Sequence, residues 1–208
     1  MILEIIAIVL CYLLGSVSFS VLLAKMLRGI DIRQHGSGNA GATNTLRVLG
    51  KGPAILVLAL DVIKGIAAVW IGRWLGGDSE WLPGLCGIAA IMGHNWPLYF
   101  KFRGGKGIAT AIGVLATLSF LPALYAGIIA ILSIVFTRYV SLGSLIFVAL
   151  TPVFLLIAGY PWPTFWTSLV ICIFAFWRHR SNIVKIVQGR ENKLGSGKGK
   201  EKGGKRVV

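Results

Sequence analysis

GIATAIGVLATLSFLPALYAGIIAILSIVFT, residues 107–137, is an apolar run without one charged side chain. As a single helix it would be about 46 Å long, whereas the hydrocarbon core of a membrane is about 30 Å thick. Pro122 lies near its middle, where a helix is expected to break. The run therefore predicts two short membrane helices.

Apolar runs make up most of the chain on both sides of this one. The 208 residues are 56% hydrophobic and 13% charged, whereas a typical soluble domain has about 25% charged residues. A helix needs about 20 apolar residues to cross the lipid. Seven runs come near this length: residues 1–24, 53–75, 82–100, 107–121, 122–137, 142–158 and 162–177. The pattern predicts an all-α, polytopic integral membrane protein with seven transmembrane helices, several of them short.

The basic residues predict on which side each loop lies. The formal net charge is +14, but Lys and Arg lie between apolar runs and not on one soluble face, which argues against a nucleic-acid-binding protein. With seven crossings, every Lys and Arg except Lys64 and Arg73 falls in the loops and tail of one side. Positive loops stay in the cytoplasm, so the N-terminus is predicted outside and the C-terminus in the cytoplasm.

The chain has no second domain by composition. Residues 1–194 are predicted to form a single transmembrane domain, because no polar segment within them is long enough to fold alone. Residues 195–208 are rich in Gly and Lys, which predicts a basic, disordered tail.

Three polar segments lie on the predicted cytoplasmic side, at residues 25–52, 94–107 and 178–193. The first contains HGSGNAGATNTLR, residues 35–47. Small residues let the backbone approach a ligand, and successive N–H groups can bind an anion. Ser37 and Arg47 are candidate catalytic residues, since Arg can hold phosphate with two parallel hydrogen bonds. Candidate substrate-binding residues are Gly36, Gly38, Asn39, Gly41, Thr43 and Asn44. A flexible loop with topogenic charge explains the segment equally well.

The second segment, HNWPLYFKFRGGKG, places glycine on both sides of Lys106. This spacing allows the chain to fold tightly around an anion, so Lys106 is a candidate catalytic cation. Candidate substrate-binding residues here are His94, Arg103, Gly104, Gly105 and Gly107. The alternatives are a topogenic charge for Lys106 and a structural histidine at position 94.

The third segment, RHRSNIVKIVQGREN, is also typical of a basic stretch that binds anionic lipid. That interpretation does not explain Asn182 or Glu191, so His179 and Asn182 are candidate catalytic residues and Glu191 a structural one. Asp61 and Lys64 lie three residues apart in the second apolar run and can pair with each other. They are predicted to be structural.

Several classes of enzyme lack their usual residues. The chain has seven Asp and Glu residues, and none forms a cluster with the spacing of metal ligands. There is no GxSxG motif and no His followed by Asp five residues later. The sequence therefore predicts neither a metal nor another cofactor, and it does not support covalent catalysis by serine.

The chain contains four motifs in the following order: SGNAGATN, LDVIKG, HNWPLYFKFRGGKG, and RHRSNI with the later GREN. Together they resemble the bacterial acyl-phosphate:glycerol-3-phosphate acyltransferase family, PlsY, over nearly the whole chain to about residue 194. The resemblance implies transfer of a fatty acyl group from acyl phosphate to the sn-1 hydroxyl of glycerol 3-phosphate, giving lysophosphatidic acid and phosphate. It implies the bacterial inner membrane, a cytoplasmic active site, membrane lipid as surroundings and no obligate protein partner.

The resemblance also implies roles for single residues. Ser37 and Arg47 would be important for catalysis, and the glycines around Lys106 would belong to the glycerol 3-phosphate site. His179 and Asn182 would support activity, and Glu191 would support structure. The residues alone leave a small organic-phosphate transporter or an anionic-lipid-binding protein as alternatives.

Overall fold

The computed structural model describes residues 1–195, and their regular structure is entirely helical, as predicted. The helices are α1 Ile2–Gly15, α2 Phe19–Arg28, α3 Ala42–Leu49, α4 Lys51–Leu75, α5 Leu82–Asn95, α6 Ile108–Leu118, α7 Phe120–Thr137, α8 Val140–Ile157, α9 Trp162–Arg178 and α10 Arg180–Val187. Two 3-10 turns, Ile32–Gln34 and Leu98–Phe100, lie in the connections. The predicted tail falls outside the described residues beyond Gly195.

Every predicted apolar run contains helix, but the runs differ in length. Four segments within residues 1–195 are long and apolar enough to cross a membrane: Ile2–Arg28, Lys51–Leu75, Phe120–Thr137 and Val140–Ile157. The helix Ile108–Leu118 is apolar but shorter. The count of seven crossings therefore stays a prediction.

The break inside residues 107–137 exists, but it lies at Ser119 and not at Pro122. Ser119 has φ −155° and ψ 82°, and its N–H and hydroxyl both donate to Leu115 O, at 2.8 and 3.1 Å. Arg73 donates to Thr117 O at 2.9 Å. Pro122 lies in the first turn of α7, where its missing N–H has no helical partner to lose. The proline starts the second helix and does not interrupt the first.

The first run is not the single helix that the sequence predicted for residues 1–24. It breaks between Gly15 and Phe19, with Ser18 at φ −94° and ψ 94°. The carbonyls of Gly15 and Val17 accept hydrogen bonds from Lys64 Nζ of α4, at 3.2 and 3.1 Å. A broken helix inside a membrane needs such donors, because lipid offers none.

Small residues let the helices pack closely around α4 and α5. A Cβ on Gly65 would lie 2.3 Å from Thr110 O, and one on Gly113 would lie 2.1 Å from Val62 O. Gly93 approaches Tyr12 O in the same way. Close backbone approach at small residues is typical of membrane helix packing. Large apolar side chains cover the outside, as a lipid-facing surface requires.

Candidate active site

The three polar segments meet at one end of the helical bundle and enclose a cleft of about 1060 Å³. Most of the site residues predicted in the three polar segments line this cleft, and Asp61 of α4 lines it as well. The lining residues from the three segments are Ser37, Gly38, Asn39, Gly41, Thr43, Asn44, Arg47, His94, Gly104, Lys106, Gly107, His179, Asn182 and Glu191. In the described chain, Gly36, Lys64, Arg103 and Gly105 of the predicted set do not line it.

Three helices have their N-cap residues in the lining of this cleft. The N-caps of α3, α6 and α10 are Gly41, Gly107 and His179. The first turn of a helix has unpaired N–H groups and a partial positive charge. Arg47, Lys106, Arg178 and Lys185 also line the cleft. This end of the cleft therefore favours anions and suits phosphate groups in particular.

Asn44 shapes the first loop. Its Oδ1 accepts the N–H of Ser37 at 2.8 Å, and its Nδ2 donates to Ile32 O and His35 O at 3.1 and 3.0 Å. Gly36 has φ +61°, and a Cβ there would lie 2.3 Å from Asn44 Oδ1. Asn44, predicted to bind substrate, uses its amide to hold Ser37 at the cleft.

Glycines in the second segment serve packing. A Cβ on Gly104 would lie 2.0 Å from His94 O, and one on Gly105 would lie 2.1 Å from His94 Nε2. The N–H of Gly105 donates to His94 O at 3.0 Å, and its carbonyl accepts Arg178 Nη2 at 2.6 Å. The loop is thus fixed against α5 and α9. Gly107, at φ +78°, then starts α6.

Lys106 connects the second segment to the third. Its ammonium donates to Asn182 Oδ1, and Asn182 Nδ2 donates to Glu191 Oε1 at 2.9 Å. This row fixes the amide with its oxygen toward Lys106. Burial, followed by the nearby charges of Arg178 and Arg47, lowers the pKa of Lys106 to about 8, although the carboxylate of Glu191 opposes this shift.

His179 is held as a neutral ring. Its Nδ1 lies 2.8 Å from Ala175 O, so Nδ1–H is the donor and Nε2 keeps its lone pair. Burial, together with the charges of Lys106 and Arg178, lowers the pKa of His179 to about 4, although the hydrogen bond to Ala175 opposes this shift. At pH 7 the ring can accept a hydrogen bond at Nε2, but it is a weak base.

Asp61, Lys64 and His94 form a buried ionic cluster at the wall of the cleft. Lys64 Nζ lies 2.7 Å from Asp61 Oδ1 and 2.9 Å from His94 Nδ1. All three side chains are almost fully buried. The pairing of Asp61 with Lys64 was predicted from their spacing. His94 was predicted as a substrate-binding or structural histidine, but its contact with this pair was not predicted, because it lies thirty residues beyond Lys64 and meets the pair through packing of α5 on α4.

The sequence model of a family described as glycerol-3-phosphate acyltransferase matches residues 5–189. The chain belongs to this family. Two relatives named glycerol-3-phosphate acyltransferase are similar over 189 residues, covering 88% of this chain and 92% of theirs. The protein from Shouchella clausii is 61% identical and that from Halalkalibacterium halodurans 58%.

Solved structures agree with this assignment. Crystal structures of PlsY, described as an integral membrane glycerol 3-phosphate acyltransferase, cover 93% of this chain and 96% of theirs at 38% identity. The TM-score is 0.88 for the glycerol 3-phosphate form and 0.85 for the lysophosphatidic acid form. The family indicated by the sequence motifs is confirmed, and this acyltransferase family member is a membrane protein.

Sequence reasoning did not name four cations of the acyltransferase cleft, Lys51, Arg178, Arg180 and Lys185, as site residues, and it named Arg103, which the structure places elsewhere. Arg178 and Lys185 were explained by lipid anchoring, yet both line the cleft. Arg178 also lies over the Trp96 ring, 5.3 Å from its centroid. Arg103 was a candidate for binding substrate, but its backbone carbonyl accepts Arg33 Nη1 at 3.2 Å and its side chain is exposed outside the cleft.

Carboxylates are sparse around the acyltransferase cleft. Within residues 1–195, no three His, Cys, Asp or Glu side chains lie together so that they could hold a metal ion. That catalysis needs no metal stays a prediction.

Proposed function

We propose that the chain transfers a fatty acyl group from acyl phosphate to the sn-1 hydroxyl of glycerol 3-phosphate. The products are lysophosphatidic acid and inorganic phosphate. The observation that carries this proposal is one cleft with two chemically different ends: loops and helix N-termini rich in cations form one end, and apolar faces of α6, α7 and α8 form the other. Family membership supports the same reaction.

The cationic end suits two phosphate groups. Arg47 can hold one phosphate with two parallel hydrogen bonds, and Lys106 can bridge both as a compact charge. Their charges reduce the repulsion between an acyl phosphate and glycerol 3-phosphate bound side by side. Proximity of the two reactants then supplies a large part of the rate enhancement.

The apolar end suits the acyl chain. This end is lined by apolar side chains of three helices: Ile112 and Ala116 of α6, Leu124 and Ile131 of α7, and Phe147 of α8. Leu124 and Ile131 are also exposed, at 42% and 62%, so the cleft opens sideways toward the surrounding lipid. An acyl chain can enter there without crossing water.

The chemistry is a direct displacement. The sn-1 oxygen attacks the carbonyl carbon of acyl phosphate and forms the ester bond. The bond from that carbon to the phosphate oxygen breaks, and phosphate leaves with the electron pair. Because acyl phosphate is already activated, the protein needs mainly to position the reactants and stabilise charge. Ser37 lies in the cleft as a hydrogen-bond donor, and Asn182 holds Lys106 in place.

The hydroxyl proton can pass to a phosphate oxygen of the substrate or to His179 Nε2. A group with a pKa of about 4 is a poor general base at pH 7. We therefore propose the phosphate oxygen as acceptor of the proton, and His179 Nε2 as a hydrogen-bond acceptor for the neighbouring sn-2 hydroxyl that helps to orient glycerol 3-phosphate.

His179→Gln is expected to retain more than about a hundredth of wild-type kcat at pH 7, since loss of a general base typically costs 10²–10⁴-fold. Glutamine keeps a hydrogen-bonding side chain but cannot take the proton. Steady-state kinetics on the purified variant give the answer. A fall of about 10⁴-fold in a folded variant would assign the base to His179.

The proposed function includes a topology. Residues 1–194 form one transmembrane domain of the bacterial inner membrane, with seven crossings, an external N-terminus and the cleft in the cytoplasm. The distribution of Lys and Arg supports this orientation. Acyl phosphate as donor and the absence of an obligate protein partner belong to the same proposal.

Cysteine labelling in sealed vesicles is expected to separate the two faces. In a background lacking Cys11, Cys86 and Cys172, an impermeant reagent applied from the cytoplasmic side should reach Gln34→Cys and Lys101→Cys. The same reagent applied outside should reach Glu80→Cys. All three positions are exposed. Labelling of Lys101→Cys from outside would reverse the topology.

A two-substrate assay tests the function itself. Purified protein in lipid nanodiscs receives palmitoyl phosphate and glycerol 3-phosphate, and phosphate and lysophosphatidic acid are measured together. Both products are expected only when both substrates are present, and excess chelator should not reduce the rate. In proteoliposomes, a transporter would instead move glycerol 3-phosphate inward without forming ester. Strict dependence on added magnesium would overturn the metal-free mechanism.

A further inference from the structure

One row of side chains on α7 runs along the apolar end of the cleft. Phe120, Leu124, Gly127, Ile131 and Ile134 follow each other at steps of three and four residues, so they share one face of the helix. Four of the five are large and apolar. The glycine leaves a gap in the middle of the row.

Packing does not explain this glycine. Apart from its chain neighbours and the backbone of its own helix, a Cβ on Gly127 would meet no atom of residues 1–195 within 4 Å, whereas one on Gly143 of α8 would lie 2.4 Å from Ile134. Gly127 also lies inside a regular helix, where glycine is less favourable than alanine. A larger residue would therefore fit the helix, and it would project into the cleft.

Gly127 lies part-way along the groove that forms the apolar end of the cleft. Ile134 is near the loops, and Gly127 is seven residues before it, which places it about 10 Å deeper along the helix axis. Ile112 and Ala116 of α6 also line the cleft, and α6 contacts α7, to which it is joined at Ser119. A side chain at position 127 would narrow the groove below its mouth.

We propose that Gly127 determines the acyl-chain preference by leaving the groove open for long chains to pass this level. This inference rests on the proposed function. Short acyl groups end above Gly127 and do not depend on it. Long saturated acyl groups extend past it, and each buried methylene beyond that level adds to binding of the donor.

The test compares donors of different length in three variants. Gly127→Leu fills the gap, Gly127→Ala adds one methyl group, and Ile129→Phe is the control on the same helix, because Ile129 is 41% exposed and is not among the cleft-lining residues of the described chain. The measurement is kcat/KM for butyryl, decanoyl and palmitoyl phosphate at a fixed, saturating concentration of glycerol 3-phosphate.

Gly127→Leu is expected to lower kcat/KM for palmitoyl phosphate relative to butyryl phosphate by about tenfold or more, since several methylenes lose their site. Gly127→Ala should give a smaller shift in the same direction, and Ile129→Phe none. If Gly127→Leu lowered kcat/KM equally for all three donors, or left the ratio between palmitoyl and butyryl phosphate unchanged, the inference would be overturned. The proposed function would still stand in that case, provided that the wild-type protein transfers the acyl group. A wild-type protein that transfers no acyl group from any donor would overturn both.

Discussion

Lys64→Ala is expected to lower the free energy of unfolding by about 3–5 kcal/mol, because it leaves the buried Asp61 carboxylate without its cation. The loss extends beyond one ion pair. The same ammonium binds Gly15 O and Val17 O at the broken first helix and contacts His94. The variant should therefore show a large fall in Tm when its unfolding in detergent is followed by tryptophan fluorescence.

Two further variants show whether the charge pair is the cause. Lys25→Ala removes an exposed lysine from α2 and should leave the Tm nearly unchanged. In Asp61→Asn/Lys64→Met, no uncompensated charge stays buried, so this variant should recover part of the loss. An equal Tm for Lys64→Ala and the wild type would show that the buried pair does not stabilise the fold.

Lys106→Ala is expected to lower kcat/KM by roughly 10–150-fold, which corresponds to about 1.5–3 kcal/mol for a charge-assisted hydrogen bond to phosphate. Loss of the ammonium also frees Asn182, which Lys106 otherwise holds against Glu191. Lys101→Ala is the matched control, since this lysine belongs to the same loop but lies outside the cleft of the described chain. Wild-type kinetics in a folded Lys106→Ala variant would remove the phosphate-binding role.

The same lysine predicts a pH effect on substrate binding. With its pKa lowered to about 8, Lys106 is charged below pH 8 and loses its proton above it. Phosphate binds the charged form, so KM for glycerol 3-phosphate should be lowest near pH 7, where the substrate phosphate, with a second pKa of about 6, is a dianion and Lys106 is charged, and it should rise as the pH increases through 8. Lys106→Arg keeps its charge over this range and should show a flatter profile, whatever its absolute activity. A wild-type KM that stays constant to pH 9.5 would contradict the assignment.

Hydropathy and charge predicted the helices and the meeting of three segments, because both depend on local composition. Interactions between distant residues were not predictable in this way. Pro122 was expected to break a helix, yet the break came at Ser119, where the serine hydroxyl and Arg73 bind the last carbonyls of α6. A proline marks a helix boundary but does not tell on which side of it the helix ends.

The contacts that single glycine and asparagine residues make were not predictable from the composition of the loops. The glycines at 104 and 105 suggested a loop that wraps an anion, but both are needed to pack the backbone against His94. Asn44 suggested a substrate ligand, and its amide is taken up by the loop itself. In each case the partner lies on another turn or another helix, so it can be recognised only after folding.

The sideways opening of the cleft has a kinetic consequence. Under the proposed function, the water-soluble reactant reaches the loops from solution, and we expect the acyl donor and the acylated product to exchange with the bilayer through the opening lined by Leu124 and Ile131. The donor concentration that governs turnover is then a mole fraction within the membrane plane. Added inert lipid or detergent lowers this mole fraction even when the bulk concentration of donor is unchanged. The rate is therefore expected to fall as inert lipid or detergent is added.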